Sequence, residues 1–414
     1  MLECCVMSVE VPDTEDLLRL VPTARYGDAV SQDGERGGAL HLSALLPAVS
    51  SAIGHPIETA VHQDPKRLQS ALGLPDVRSA IVVLVDGLGY WNIAMRLGHA
   101  PTLRSLMSDT ANQRPISTCA PSTTVAAMAT FGTGTCPGLT GMTGYTQRNP
   151  RTGQLSQLIQ FKEALEPTEL QRQPTVFERL ASQDVRVTSS GLPKFANSPL
   201  TQAALRGSEY IGSVTPRDRV QAACRAAATP GLAYLYIRDA DKVGHNYGWD
   251  SEKWIATFEH IDAQLGLLRR SAPKGTVIVI TADHGMVSAD PKCCIDIAKE
   301  PRLAEGVELV GGEPRSVMLY AQADMSAEEL AERWTAFLGE RALVRTKAQA
   351  IAQGVFGEVD ERVLPMIGDV LVQATGAVTI VDSRIQNEKA MSLPSVHGSQ
   401  TRLEMDIPCL IDVV

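Results

Sequence analysis

The 414-residue chain has 44% hydrophobic and 21% charged residues, a globular composition that can bury one large domain with an insertion, or two domains. Its formal net charge of −9 leaves no basic surplus to neutralise a phosphate backbone, which argues against nucleic-acid binding as the main role. A site for small anions must therefore supply its own positive charge, and metal ions are one source.

Targeting signals and paired cysteines are not evident. The first twenty residues lack the basic start, apolar stretch and cleavage site of a secretory signal, and no run approaches about 18 uninterrupted apolar residues. We therefore predict a cytoplasmic protein without a membrane span. The eight cysteines are scattered, which predicts free thiols. The adjacent Cys293 and Cys294 lack a Cys-x-x-Cys spacing, which disfavours a metal site there.

The first seventy residues are predicted to be an N-terminal extension (1–70) packed on the core. Within it, 42–53 has a helical pattern, whereas the Gly- and charge-rich stretch 27–38 is typical of a loop.

Three short apolar strands, each followed by an acidic turn, organise the next part of the chain. They cover 81–85, 233–237 and 277–281, and a helical pattern spans 252–268. This alternation predicts an α/β fold, with a mainly parallel central sheet that has helices on both faces. In such sheets ligands bind beyond the carboxyl ends of the strands, where all three acidic turns fall.

The pattern changes from about 287 to 390. Strand-like runs at 316–320 and 370–374 flank a helical stretch at 327–338. We predict a small inserted α/β subdomain at 287–390, and a catalytic α/β core made of 71–286 and 391–414.

The acidic turns and a C-terminal loop contain candidate metal ligands, because divalent metals that activate a nucleophile prefer carboxylates and neutral imidazoles. The candidates are Asp86, Asp241, His245, Asp283, His284 and His397. Asp239 competes with Asp241, but the four-residue spacing to His245 favours Asp241, because one helical turn brings both side chains to one side.

Each candidate alone has a structural interpretation, since an aspartate after a strand is more often a turn former or a helix cap. Their joint occurrence in the turns favours a site. The other histidines have no comparable setting and are predicted to be structural: His41, His55, His62, His99 and His260.

A nucleophile is expected at a helix N-terminus, where free N–H groups and the helix dipole favour an anionic phosphoryl group. Ser122, Thr123 and Thr124 precede a run of small helical residues. An ordinary Ser/Thr-capped helix explains the segment equally well.

With these motifs in this order, the sequence resembles the alkaline phosphatase superfamily, and most closely its nucleotide pyrophosphatase/phosphodiesterase branch. The resemblance covers roughly 78–290 and 393–412. It comprises a strand ending in Asp-Gly, a hydroxyl nucleophile heading a helix that ends in Thr-Gly, Asp-x-x-x-His, Asp-His-Gly and a final His-Gly. In that family the nucleophile lies ten residues before the glycine of Thr-Gly, which counted back from Gly134 implies Thr124.

The resemblance also implies the ligand sets of two divalent metal ions. One set is Asp241, His245 and His397; the other is Asp86, Asp283 and His284, with Thr124 bridging to or facing the second metal. Zinc is the metal implied, and manganese is compatible with the same ligands. The implied reaction is a two-step in-line displacement through a phosphothreonine intermediate.

Two departures from the family's pattern concern the choice of substrate, and a third observation concerns sulfatases. Tyr145 stands where the phosphodiesterase branch carries an asparagine, so it either replaces that amide as a hydroxyl donor to the substrate or simply packs. The alkaline phosphatases proper use an arginine near the nucleophile, and no arginine stands at that place in this sequence. Its absence disfavours a pure phosphomonoesterase. Cys119 lies five residues before Thr124, which disfavours a sulfatase.

The leading hypothesis is therefore a metal-dependent phosphodiesterase or nucleotide pyrophosphatase acting on a small phosphate-ester or nucleotide substrate. A phosphomonoesterase, phosphonate hydrolase or phosphomutase on the same site is the second. A non-catalytic metal- or phosphate-binding protein is the third. No nucleic-acid or membrane partner is expected, and the oligomeric state is not predicted.

Overall fold

The computed structural model describes residues 9–30 and 34–414. Some sequence predictions therefore fall outside the described residues. These predictions concern Cys4, Cys5, the start of the segment searched for a secretory signal, and residues 31–33 of the predicted loop. The described α-helices of five or more residues are Leu42–Ala52, Pro65–Leu72, Tyr90–Ala94, Pro101–Met107, Thr124–Thr133, Val176–Ala181, Pro199–Ala204, Pro216–Ala227, Asp239–Tyr247, Glu252–Ser271, Ala327–Leu338 and Lys347–Ala352. None of the described helices has the length and apolar character needed to cross a membrane.

A six-stranded sheet forms the centre of the molecule. Its strands lie in the order Cys409–Val413, Thr276–Thr281, Ser79–Val85, Gly231–Ile237, Arg186–Gly191 and Glu209–Gly212. All neighbouring strands are parallel except Cys409–Val413, which pairs antiparallel at one edge. Every residue of Ser79–Val85 is buried, because flanking helices cover both faces of the sheet. The predicted mainly parallel α/β fold is confirmed.

The three apolar runs found in the sequence are three adjacent strands of this sheet, which begin one or two residues earlier than predicted. The neighbouring strand Arg186–Gly191 was missed, although residues 187–191 are buried. Its Ser and Thr side chains hide the apolar signal of a buried strand. Hydrogen bonds accommodate the two serines: the Ser190 hydroxyl donates to the Arg219 carbonyl at 2.9 Å, and Oγ of Ser189 is 2.7 Å from Oγ of Ser208.

The N-terminal segment is closely integrated with the core. All eleven residues of Leu42–Ala52 are buried, and Leu42, Leu45 and Val49 belong to the same hydrophobic core as the central strands. The boundary at residue 70 stays a prediction.

Residues 307–374 contain a separate four-stranded antiparallel sheet, in the order Val307–Glu313, Ser316–Ala321, Val370–Ala374 and Ala342–Thr346. Its hydrophobic core includes Trp334 of the helix Ala327–Leu338 and is distinct from the main one. Arg315, in the turn between the first two of these strands, is fully buried and pairs with Glu404 at 2.8 Å. The limits predicted for the insertion, 287 and 390, stay predictions.

Candidate metal centre

The six predicted ligands meet beyond the carboxyl ends of three adjacent strands. Asp86 follows Ser79–Val85, the helix Asp239–Tyr247 follows Gly231–Ile237, and Asp283 follows Thr276–Thr281. The last ligand, His397, arrives from the C-terminal segment, where Ser395–Val396 pairs with Val287–Ser288. Residues separated by hundreds of positions therefore share one edge of the sheet, as the parallel topology requires.

A glycine lets two of these elements approach each other. Gly87 follows Asp86 with φ +71°, a conformation that L side chains rarely adopt. A Cβ atom there would lie 2.9 Å from Cα of Asp241. The Asp-Gly dipeptide thus allows the turn after the strand Ser79–Val85 to contact the helix Asp239–Tyr247 directly.

Three of the predicted ligands form a buried cluster: Asp86, Asp283 and His284, whose candidate donor atoms lie within 4.8 Å of one another. Oδ1 of Asp283 accepts hydrogen bonds from the backbone N–H groups of Gly87 at 2.9 Å and His284 at 3.0 Å. Its Oδ2 is buried and has no hydrogen-bond partner in the described structure. Such an atom is costly unless a cation compensates it. This donor set fits a divalent metal.

A second, partly exposed cluster lies beside the first. Ligand atoms of Asp241, His284 and His397 are within 4.8 Å of one another. His245 adds its Nε2, which is 3.1 Å from Oδ1 of Asp241 and 3.2 Å from Nε2 of His397. Because His284 belongs to both clusters, the six side chains form one continuous group. Their division between two metals stays a prediction.

Backbone carbonyls orient two of the imidazoles. Nδ1 of His245 donates to the Ser395 carbonyl, and Nδ1 of His397 donates to the Ser122 carbonyl, each at 2.8 Å. With the proton placed on Nδ1 by these acceptors, Nε2 keeps its lone pair for a metal. These carbonyls could not be found in the sequence, because no side-chain pattern marks them.

The charges of the group also favour a cation. Burial and the negative charges of Asp283 and Asp241 raise the pKa of Asp86. Burial and the neighbouring His284 and His245 lower the pKa of His397. Crowded carboxylates and a neutral imidazole are the conditions in which a divalent ion replaces protons.

Tyr236 supports the buried cluster and was missed in the sequence. Its hydroxyl donates to Oδ2 of Asp86, which leaves Oδ1 facing Thr124 and His284. Within an apolar strand a tyrosine is expected to pack, so only its position next to the acidic turn hinted at this role.

Among the three candidate nucleophiles, Thr124 lies against the ligand group. It is the first residue of the helix Thr124–Thr133, and its Oγ1 is 3.4 Å from Oδ1 of Asp86 and 3.2 Å from Nε2 of His284. The Ser122 hydroxyl instead donates to the Ser399 carbonyl at 2.7 Å, and Thr123 is the N-cap residue.

Three other residues considered in the sequence have different partners or surroundings. Asp239, the competitor of Asp241, faces Arg219 at 3.7 Å. The Tyr145 hydroxyl accepts a hydrogen bond from Gln157 at 2.7 Å. Burial raises the pKa of Cys119 to about 12, so its thiol is not reactive at neutral pH.

A further arrangement has the connectivity of a Ser-His-Asp triad but lacks access. Oγ of Ser43 is 2.8 Å from Nε2 of His62, whose Nδ1 is 2.9 Å from Asp28. Ser43 and His62 are 0% exposed, so no substrate can reach the hydroxyl. Burial also lowers the pKa of the adjacent His41 to about 3, in keeping with a structural hydrogen-bond network.

Solved structures with a similar fold include proteins determined in complex with AMP or phosphonoacetate. Murine ectonucleotide pyrophosphatase / phosphodiesterase 5 is 16% identical, with a TM-score of 0.63 over 80% of this chain and 87% of that chain. An inactive form of the same murine protein was solved with AMP, with a TM-score of 0.62, 16% identity and the same coverage. Phosphonoacetate hydrolase from Sinorhizobium meliloti, solved with phosphonoacetate, is 19% identical, with a TM-score of 0.63 over 81% and 90%.

No curated protein matches the sequence. The sequence does match the family described as type I phosphodiesterase / nucleotide pyrophosphatase, over residues 80–399. This match covers most of the chain and all six candidate ligands, and it confirms the resemblance inferred from the motifs. The chain therefore belongs to the type I phosphodiesterase / nucleotide pyrophosphatase family, whose members are metal-dependent hydrolases of phosphate esters.

Proposed function

We propose that the chain hydrolyses phosphodiesters or nucleotide pyrophosphates with Thr124 as the nucleophile. Two divalent ions, with zinc as the first expectation, would be held by Asp86, Asp241, His245, Asp283, His284 and His397. The observation that supports this proposal is the position of Thr124 Oγ1, at the start of a helix and 3.2 Å from His284 within the ligand group.

The protein's own groups prepare Thr124 for attack. Asp86 and His284 contact its hydroxyl, and the free N–H groups of the first helical turn face an incoming phosphoryl oxygen. When bound, the metals would supply Lewis acidity and lower the pKa of the attacking hydroxyl. Tyr236 keeps Asp86 oriented, and the Ser122 and Ser395 carbonyls keep two imidazoles in the ligating tautomer.

Tyr145 has two alternative roles, contact with the substrate and packing. Its hydroxyl is bonded to Gln157, and its backbone N–H donates to Glu313 at 2.9 Å. Packing accounts for these contacts, while the side chain, 37% exposed, is open to a substrate oxygen. Tyr145→Phe separates the two roles, because only substrate contact predicts a rise in KM.

The test combines a substrate comparison with a nucleophile variant. We expect the zinc-loaded protein to hydrolyse bis-p-nitrophenyl phosphate faster than p-nitrophenyl phosphate, to lose activity on chelation and to regain it with zinc. We expect Thr124→Ala to bind the same metal while losing at least about 10³-fold in kcat, as when a nucleophile is removed. Thr123→Ala is the matched control, since its hydroxyl makes no capping hydrogen bond.

Each alternative has its own outcome. Faster hydrolysis of the monoester than of the diester would favour the phosphomonoesterase hypothesis. Cleavage of phosphonoacetate would favour a phosphonate hydrolase. Bound metal with no turnover of any phosphate ester would favour a binding protein. A fully active Thr124→Ala protein would overturn the assignment of the nucleophile.

A further inference from the structure

A buried asparagine joins two of the turns that carry the predicted ligands. Asn92 lies in the short helix Tyr90–Ala94, which follows the turn after Asp86, and its side chain is fully buried. Its Nδ2 donates to the Met286 carbonyl at 3.1 Å, and its Oδ1 accepts from the Met286 backbone N–H at 3.1 Å. Met286 lies two residues beyond His284. The amide therefore satisfies both backbone groups of one residue in the neighbouring turn.

The two turns meet in close contact, without room for side chains. A Cβ atom at Gly89 would lie 2.5 Å from Cα of Gly285, and a Cβ atom at Gly285 would lie 1.9 Å from the Leu403 carbonyl oxygen. Closely packed interiors pass a displacement on to their neighbours instead of absorbing it. A shift of the Met286 backbone after loss of the Asn92 amide must therefore reach the elements that contact Met286.

One of these elements is the helix Asp239–Tyr247, which carries two of the predicted ligands. The Met286 side chain is buried, and a Cβ atom at Gly244 would lie 2.4 Å from its Sδ atom. Gly244 directly precedes His245 in the chain. Because glycine has no side chain, the sulfur lies against the helix backbone next to this ligand.

The other element is the strand that leads to His397. Val287–Ser288, directly after the residue held by the amide, pairs with Ser395–Val396, and His397 is the next residue. The Ser395 carbonyl in this strand also accepts from Nδ1 of His245 at 2.8 Å. Both histidines of the partly exposed cluster that are not shared with the buried one therefore depend on the segment 286–288.

We propose that Asn92 is a positioning residue for the partly exposed cluster of the metal centre. Through the Met286 backbone it fixes the segment against which the helix Asp239–Tyr247 and the strand before His397 pack. It thereby sets where His245 stands relative to the buried cluster. This inference rests on the proposed ligand set and extends it to a residue that supports the ligands without being one of them.

The test removes the amide and measures metal binding directly. Asn92→Leu is similar in size but cannot bond the Met286 backbone. The metal-free protein is titrated with Zn²⁺ against a competing chelator and with Co²⁺ by visible absorption, which depends on the ligand geometry. We expect the affinity for the more weakly bound ion to fall by about 10–100-fold, as for the loss of a residue that supports a ligand. The Co²⁺ absorption of that ion should shift, and the affinity for the other ion should stay unchanged.

Asn112 offers a matched control, because it makes the same pair of hydrogen bonds elsewhere. It is buried, its Nδ2 donates to the Ile411 carbonyl at 3.1 Å, and its Oδ1 accepts from the Ile411 N–H at 2.8 Å. Ile411 lies in the edge strand Cys409–Val413 and pairs with Val279, in the middle of the neighbouring strand. Asn112→Leu should therefore lower the free energy of unfolding as Asn92→Leu does, while both metal affinities and the Co²⁺ spectrum stay unchanged.

A milder pair of variants applies if Asn92→Leu does not fold. Asn92→Ser and Asn112→Ser leave a hydroxyl and space for a water molecule that can bond the freed backbone groups. The same selective weakening of one ion is expected for Asn92→Ser alone. Unchanged metal binding in the Asn92 variants, equal weakening of both ions, or the same loss of metal in the Asn112 variants would overturn the positioning role.

Failure of the proposed function is read separately, because metal binding is measured without turnover. If the unmodified protein binds metal but hydrolyses no phosphate ester, selective weakening of one ion in the Asn92 variants still supports the positioning role, and the assigned activity fails. If the unmodified protein hydrolyses phosphodiesters and the Asn92 variants bind both ions normally, the activity stands and the positioning role fails.

Discussion

The two halves of the ligand group differ in how they are held. In the buried half, Asp283 and His284 side chains are 0% exposed, and Asp86 is 6% exposed. In the other half, Asp241 is 18% and His245 25% exposed. The buried predicted ligands lie directly after the ends of neighbouring strands, whereas the partly exposed half includes His397, which comes from a C-terminal segment that other contacts must hold in place. The ends of the sheet strands are therefore sufficient to position the buried half, but not the partly exposed half.

Residues 307–374 supply much of the support for that segment. Oε1 of Glu404 accepts from the Ser399 backbone N–H at 2.9 Å, two residues beyond His397. The same carboxylate binds Arg315 through two hydrogen bonds, at 3.1 and 2.8 Å. Glu313 packs against Gly398 so closely that a Cβ there would lie 2.4 Å from Cγ of Glu313. The separate antiparallel sheet therefore stabilises the more exposed half.

The largest expected effect comes from breaking each half in turn. Asp283→Asn and Asp241→Asn each remove one ligand charge, so each should lower metal affinity and kcat/KM by more than about 100-fold, the upper effect of losing a residue that only supports a ligand. During dilute chelation of the unmodified protein, we expect the ion of the exposed half to leave first. Elemental analysis of timed samples measures the loss of metal, and steady-state kinetics of the two variants measures the change in kcat/KM.

Asp239→Asn is the control for this comparison, because it removes a carboxylate two residues from Asp241 that faces Arg219 instead. It should keep its full metal content. Loss of metal from Asp239→Asn, with retention by Asp241→Asn, would contradict the ligand assignment.

A smaller effect is expected from the tie between the antiparallel sheet and the core. Arg315→Met leaves the fully buried Glu404 without its partner, which should lower the free energy of unfolding by about 3–5 kcal/mol. Urea denaturation measures this fall in the free energy of unfolding. We also expect the variant to lose metal selectively from the partly exposed half of the ligand group. Arg333→Met, which breaks a partly exposed pair with Glu305, should cost no more than about 1 kcal/mol. Equal costs for both variants would mean that the buried pair does not stabilise the fold.

The smallest expected effect concerns pH. Burial raises the pKa of Glu313 from 4.5 to about 8, so between these values the folded chain retains a proton that the unfolded chain releases. The contribution of this group to stability is therefore present at low pH and declines as the pH rises towards about 8. Glu313→Gln cannot ionise, so its Tm relative to the unmodified protein should rise across this range.

Thermal unfolding across this pH range measures the difference. Glu308→Gln, on the same strand with its side chain 54% exposed, is the control and should show no such trend. A pH-independent difference for Glu313→Gln would mean that Glu313 is already ionised in the folded protein.

The sequence by itself determined the fold class and the family. Strands covered on both faces must be continuously apolar, so Ser79–Val85, Gly231–Ile237 and Thr276–Thr281 could be recognised, and each is followed by an acidic turn. The order of the Asp-Gly, Thr-Gly, Asp-His-Gly and His-Gly motifs then indicated the family. These signals are local, since each lies within a few consecutive residues.

Only the tertiary structure decided what surrounds the ligands. The Tyr236 hydroxyl on Asp86 and the Arg315–Glu404 pair join residues that lie far apart in the chain. The strand Arg186–Gly191 could not be recognised either, because its polar Ser and Thr side chains break the apolar pattern, and the partners of Ser189 and Ser190 lie in other parts of the chain. A hydrogen bond or an ion pair depends on distance in space, and no periodicity in the sequence encodes it.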